Sequence, residues 1–245
     1  MSIILKIKEK LINAMYPKHI KCICCKDELL EQNVYDMCDK CYKKLPLIQS
    51  NFCQRCGLKF DKDGAGVCLN CKTNNFDFEM ARSAVVFDDV VVPVIHKFKY
   101  ARYKFLAEPL SYLLYDTLMI QNWKIDSICY VPLYLKRERD RGYNQSRELA
   151  NHLSKFIDVP VFDDIVRLRD TPTQTKLSRK ERKENVKDCF KVNNRKAVKG
   201  LNVLLIDDVY TTGSTTNEIS KELKRAGVNK VYVLTVAHAG FKQKI

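Results

Sequence analysis

The sequence predicts an α/β domain with a parallel sheet, preceded by a small cysteine-rich module. Three observations carry this. From residue 76 onward, apolar runs of strand length alternate with helical runs, the pattern of βαβ units. Eight of the 11 cysteines form four C-x-x-C pairs, all between residues 22 and 71. The stretch VLLIDDVYTTGSTT at 203–216 joins a buried strand to a helix through two carboxylates and a Thr/Gly/Ser turn. The 245 residues are 46% hydrophobic and 29% charged, with 8 Gly and 7 Pro. That excludes collagen-like, low-complexity and wholly disordered chains and leaves room for one or two domains.

Residues 2–15 place Ile3, Ile4, Ile7, Leu11 and Ile12 at helical spacing among lysines, until Pro17 stops the pattern. This predicts an amphipathic helix over 1–17 that packs on the rest of the protein. Its lysines and the lack of a small-residue cleavage site do not fit a secretory signal. No uncharged apolar run approaches the roughly 18 residues of a membrane span. The expectation is a cytoplasmic protein without a transmembrane segment.

Residues 18–75 have few apolar runs and cannot build much core unaided. Cys22 and Cys25 are followed after twelve residues by Cys38 and Cys41; Cys53 and Cys56 are followed after eleven by Cys68 and Cys71. Each pair presents two thiolates to one ion, and two pairs complete a tetrahedral site of four cysteines with no open position. In a reducing compartment this points to metal rather than disulfides. The expectation is a double zinc ribbon with two structural zinc ions, whose loss leaves the following domain largely intact. Sequential pairing is preferred, and interleaved pairing of the two halves stays open. An iron–sulfur cluster or redox dithiol is the weaker alternative, because neither needs this regular doubling. Cys24 is spare, and Cys129 and Cys189 read as buried, inert thiols.

Beyond the module, 81–87 reads as a strand, and 90–100 and 104–121 as helices that Pro93 and Pro109 start or break. Next come a strand at 126–133, a helix at 144–157 and a strand at 164–170. A polar, basic loop with a short helix runs through Asn185. A buried strand at 201–208, a helix at 215–227 closed by Gly227, and a strand at 228–239 complete the domain.

At the C-terminal end of a parallel strand, the turn Thr211–Thr215 gathers backbone N–H groups, hydroxyls and a helix N-terminus around one point, which suits a phosphate. Asp207 and Asp208 stand ready for hydroxyls of whatever carries that phosphate. A P-loop is excluded by the missing Gly-Lys-Ser/Thr, and a dinucleotide site by the missing G-x-G-x-x-G. The net charge is +14, and residues 131–200 contribute eight of those charges, so an anionic partner is expected. Arg137, Arg139, Arg141, Arg147, Lys176, Arg179, Lys180, Arg182 and Lys183 flank the phosphate turn in this reading. They serve a pyrophosphate group, a nucleic-acid backbone, or solvent alone. Tyr134 and Tyr143 are expected to be packed rather than to stack bases, and no histidine receives a role.

The stretch at 203–216 resembles the phosphoribosyl pyrophosphate (PRPP) signature of type I phosphoribosyltransferases. The flanking segments resemble one branch of these, the ComF family: VPL at 131–133, RERDRGYNQSRELA at 137–150, and TPTQTKLSRKERKENVKDCF at 171–190. The run R-G-Y-N-Q at 141–145 is the most family-specific element, and the cysteine-rich N-terminus belongs to the same pattern. The family is associated with natural transformation, and its members are also described as amidophosphoribosyltransferase-like.

The resemblance implies a type I phosphoribosyltransferase domain over 76–245, behind a double zinc ribbon over 18–75. It implies that Asp207 and Asp208 bind ribose hydroxyls and that Thr211, Thr212, Gly213, Ser214 and Thr215 bind the 5′-phosphate. Val131, Pro132 and Leu133 correspond to the pyrophosphate loop. Thr173, Gln174, Arg179 and Arg182 fall in the loop that closes over substrate, and Arg141 is a further PRPP ligand. A Mg²⁺ bridging diphosphate and ribose is expected with PRPP. Single-stranded DNA and a competence helicase or other uptake proteins are the implied partners. Purine-salvage members carry an acid where this chain has Thr211, which argues against a salvage enzyme, and no residue is assigned to catalysis. Two other readings remain: a metabolic phosphoribosyltransferase acting on a small nucleophile, and a non-catalytic PRPP sensor.

Overall fold

A computed structural model of the chain describes residues 20–61, 66–171 and 178–240. The helix expected over 1–17 lies outside the described residues. The strands are β1 (Met80–Val86), β2 (Ser127–Tyr130), β3 (Ile165–Arg167), β4 (Phe190–Val192), β5 (Asn202–Tyr210) and β6 (Lys230–His238). The helices are α1 (Asp39–Tyr42), α2 (Leu69–Thr73), α3 (Val92–Tyr100), α4 (Ala107–Met119), α5 (Leu135–Arg141), α6 (Gln145–Ile157), α7 (Arg179–Val186), α8 (Arg195–Val198) and α9 (Ser214–Arg225).

Four strands form the expected parallel sheet, in the order β1-β6-β5-β2. The central strands carry unbroken buried runs, Val203–Ile206 in β5 and Val231–Leu234 in β6, because both faces are covered. Leu204, Ile206, Leu234 and Val236 enter the core under α3, α4 and α6, while Val203, Leu205, Val231 and Val233 enter the core under α9. That is the period of two that a strand imposes on its side chains. The strand expected at 164–170 is shorter and elsewhere: β3 pairs antiparallel with β4 in a separate two-stranded sheet.

Helix boundaries follow local chemistry. Asn144 caps α6 by accepting the Arg147 N–H, and Ser178 and Glu181 form a reciprocal capping box on α7. Pro93 starts α3. Pro109 sits in the first turn of α4, where its missing N–H costs nothing, so no break occurs. The helix α5 had no anticipated counterpart. It is a charged LKRERDR run without an apolar stripe, and it ends where Gly142 takes a left-handed φ of 89°.

The ribbons dock on opposite faces. Cys22, Ile23 and Met37 of the first join the core under α3 and α4; Cys53, Cys56 and Cys68 of the second join the core under α9. The chain between them runs antiparallel along β1, with Ile48 N–H donating to Ala84 O (2.9 Å) and Val86 N–H to Pro46 O (2.9 Å). This linker covers the edge of β1 that β6 leaves free.

Candidate functional site

The two cysteine tetrads form sequentially, as preferred: Cys22, Cys25, Cys38 and Cys41, then Cys53, Cys56, Cys68 and Cys71. Within each, the sulfurs lie within 4.8 Å of one another. Tetrahedral zinc with Zn–S bonds of about 2.3 Å places its sulfurs about 3.8 Å apart. Cys25 and Cys38 Sγ are 3.8 Å apart and Cys56 and Cys68 Sγ 3.7 Å, so the donor set and its size fit zinc. All eleven cysteines are free, and Cys129 and Cys189 are buried. Beside the second tetrad, the buried Arg82 guanidinium donates to Gln54 O (3.1 Å) and Ala81 O (2.8 Å). A cation there offsets the net negative charge of a zinc tetrathiolate.

A cleft of about 260 Å³ opens at the C-terminal ends of β2 and β5 and the N-termini of α6 and α9. In an open parallel sheet, that is where ligands bind. Thr211, Gly213, Ser214 and Thr215 line it on one side, Asp207 and Asp208 on its floor, and Val131, Leu133, Arg141 and Arg182 elsewhere. Of the expected site residues, Pro132 is buried outside this lining. Thr212 also lies outside it, with its hydroxyl 2.8 Å from that of Ser214. Gln174 and Thr173 fall outside the described residues.

The turn needs glycine at 213. Its φ is 77°, and a Cβ there would lie 2.3 Å from Tyr210 Oη and 3.1 Å from Phe76. It frees the first N–H groups of α9, a helix of 12 residues, toward the cleft. Tyr210 is buried against His238, with ring centroids 4.9 Å apart, and burial lowers the His238 imidazole to about 4.

Asp207 accepts hydrogen bonds from Ser146 Oγ (3.0 Å) and the Asp208 N–H (2.9 Å), and Asp208 forms an ion pair with Lys99 Nζ at 2.9 Å. Burial, then the neighbouring Asp208 charge, push the Asp207 carboxyl up to about 7 against the opposing pull of Lys99. Burial disfavours the Lys99 charge, but Asp208 and Asp207 overcome that and raise its pKa. Lys99 went unnoticed in the sequence, where it is one basic residue of a helix.

The run 141–145 is explained residue by residue. Gly142 ends α5, and the buried Tyr143 hydroxyl donates to Phe98 O. Asn144 caps α6 and also donates to Val131 O (3.0 Å), fixing the 131–133 segment. Gln145 accepts from Arg141 (2.6 Å) and donates to Phe98 O (3.3 Å), so it ties the cleft arginine to the strand-facing end of α3. Tyr143 is packed, as expected.

Arg137 pairs with Asp170 at 2.9 Å. Arg167, also missed in the sequence, lines the cleft and leaves its buried Nε without a partner; burial, then Arg137, lower its pKa. Lys99, Arg137, Arg141, Arg167 and Arg182 thus face the cleft against Asp207 and Asp208, a balance suited to a polyanion that also carries hydroxyls.

Residues 142–244 match the phosphoribosyl transferase domain family, and residues 11–72 the double zinc ribbon domain family. The chain is 33% identical to "Competence protein F" of Haemophilus influenzae over 232 residues, covering 90% of this chain and 98% of that one. It is 30% identical to "DNA utilization protein YhgH" of Escherichia coli K12 over 205 residues, 81% of this chain and 88% of that one. It is 25% identical to "Competence protein ComFC" of Bacillus subtilis over 199 residues, 78% of this chain and 79% of that one.

Proposed function

The chain belongs to the ComF family, a double zinc ribbon joined to a phosphoribosyltransferase domain, and from that premise we propose that its cleft binds PRPP and that the protein serves the uptake or utilisation of DNA. One observation carries the PRPP reading: an acidic pair, a phosphate turn and several arginines converge on one cleft. In this assignment the N–H groups and hydroxyls of Thr211, Gly213, Ser214 and Thr215 take the 5′-phosphate. Asp207 and Asp208 accept from the ribose hydroxyls. Arg141 and Arg182, with Val131 and Leu133 beside them, face the diphosphate, and Arg137 and Arg167 add positive charge there. Mg²⁺ accompanying PRPP would neutralise the diphosphate and meet the same acidic pair. Domain limits of 18–75 and 76–245 and a cytoplasmic location belong to the same proposal.

Transfer to a nucleobase calls for a proton acceptor near the incoming base, and Thr211 supplies none at neutral pH. Binding, rather than salvage of a purine, is therefore the assigned role. The DNA part rests on the names of the relatives and on the positive charge of the chain, and single-stranded DNA is its proposed substrate.

Calorimetric titration with PRPP and Mg²⁺ tests the cleft. Asp207→Asn combined with Asp208→Asn removes charge-assisted hydrogen bonds of about 1.5–3 kcal/mol each, so affinity should fall roughly a hundredfold or more. Because Asp208 also anchors Lys99, Thr215→Val serves as a second variant that leaves this ion pair in place. Unchanged affinity in both would show that PRPP does not bind here.

A further inference from the structure

We propose that single-stranded nucleic acid lies on an aromatic, basic strip that runs from Tyr100 at the mouth of the cleft, over Tyr103 and Phe105, to Lys26 of the first ribbon. The inference rests on the DNA part of the function proposed above and names its surface.

Three large aromatic side chains stand in the open within six residues: Tyr100 is 54% exposed, Tyr103 37% and Phe105 58%. Scattered exposed apolar residues are ordinary, but a cluster of rings is a contact surface in waiting. Tyr103 and Phe105 form one shelf, with centroids 5.3 Å apart and planes tilted by 34°. Each end of the strip carries a cation over a ring: Arg141 lies 5.1 Å from the Tyr100 centroid and Lys26 5.7 Å from that of Tyr103. Lys97 stands beside Lys26, and the exposed Arg102 lies between the rings in sequence. Lys104 is engaged by Glu148 at 2.9 Å and is left out of the strip.

Rings that accept bases, with cations beside them for phosphates, are the equipment of sequence-tolerant single-strand binding. A duplex keeps its base faces stacked on one another and would leave the rings without a role. Protein–protein interfaces are depleted of lysine, whereas Lys26 and Lys97 stand together beside these rings. Tyr100 and Arg141 also line the cleft, so the strip leads directly into it.

The test is fluorescence anisotropy of the full, zinc-loaded chain with a labelled 20-nucleotide oligo-dT and with a duplex of equal length. Tyr103→Ala combined with Phe105→Ala should weaken oligo-dT binding about tenfold or more, while zinc content and PRPP titration stay as in the parent. Tyr103→Phe keeps the ring and should retain near-parental affinity. Arg102→Glu, at an exposed position, should also weaken binding, which covers the case in which the double variant fails to fold. Lys26→Gln should reduce the slope of log affinity against log salt by about 0.7. Parental affinity in both the double variant and Arg102→Glu, or equal affinity for duplex, overturns the strip and leaves the DNA reading standing. Self-association that the double variant abolishes without changing DNA affinity overturns it in favour of a protein contact. No oligo-dT binding by the parent at low salt overturns the strip and the DNA reading together, and PRPP binding is then judged on its own titration.

Discussion

The first ribbon and the second share one backbone and differ in what surrounds it. An antiparallel backbone β-bridge joins Lys21 to Glu28 in the first as another joins Phe52 to Lys59 in the second. The Lys26 N–H donates to Cys22 O (3.0 Å) as that of Gly57 does to Cys53 O (2.9 Å), and both residues have φ of 74°. Here the likeness stops. A Cβ at Gly57 would lie 2.9 Å from Ala81 O and 3.3 Å from Arg82 Cα, because the second ribbon sits hard against β1, with Ala81 N–H donating to Arg55 O at 2.7 Å. Lys26 is exposed, as is Cys25, whereas Cys53, Cys56 and Cys68 are buried. Zinc geometry sets the shared turn; the sheet decides which copy tolerates a side chain.

The chain leaving the second ribbon also buttresses the phosphate turn. The chain leaving α2 brings Phe76 against Gly213, stacks Phe76 on Phe78 at 4.8 Å, and donates the Asp77 N–H to Asn217 on α9 at 2.6 Å. This revises the expectation that losing either ribbon spares the following domain. Cys56→Ser should remove one zinc and lower PRPP affinity at least tenfold, because structural zinc supplies on the order of 10 kcal/mol of local folding free energy. Cys25→Ser should also remove one zinc yet leave PRPP affinity within a few-fold. Metal analysis and calorimetry on the two variants decide it, and equal effects on PRPP would erase the contrast.

Position 26 against 57 gives the next largest effect. Gly57→Ala should destabilise by about 2 kcal/mol or more, since it combines a backbone clash with a left-handed φ. Lys26→Gly should stabilise by up to about 1 kcal/mol, having only the left-handed φ to relieve. Thermal unfolding of both variants measures the difference, and matching signs would contradict it.

Acidity separates the cleft from both ribbons. The folded pKa of Asp207 lies above its unfolded value, so the folded state binds the extra proton and stability falls as pH rises from about 4 to about 7. Ligand binding runs the other way, because the ionised carboxylate is what accepts ribose hydroxyls. PRPP affinity should therefore drop as pH falls through about 7, with two zinc ions still bound per chain at pH 6. Asp207→Asn should flatten both dependences. The smallest effect belongs to Cys24, which stands outside the first tetrad: Cys24→Ala should keep both zinc ions and shift the melting temperature by no more than about 2 °C.

Both tetrads, the parallel sheet and the phosphate turn were legible because each is written in contiguous spacing. The four C-x-x-C pairs announce two tetrads by their repeated spacing, although the structure was needed to fix sequential pairing over interleaved, and IDDVYTTGST carries strand, acids and turn in ten residues. Lys99 was not legible, because its partner Asp208 lies 109 positions away and nothing local marks the pair. Arg167 reads as a residue of an ordinary strand until folding sets it beside Arg137. The docking of the ribbons on opposite faces depends on Gly57, on the Pro46–Ile48 segment and on Phe76, each of which acquires meaning from a distant neighbour.

The edge pairing of Pro46–Ile48 with β1 has a consequence for the order of assembly. The other neighbour of β1 is β6, with Met80 opposite Tyr232, so that side of β1 waits for more than 140 further residues to leave the ribosome. The linker is already present, and so are both tetrads. Pairing with the linker closes one edge of the young β1 once the second ribbon has folded between them, while the edge that β6 takes stays open until the end of the chain is made. The order of synthesis thus offers β1 its linker neighbour first and its sheet neighbour last.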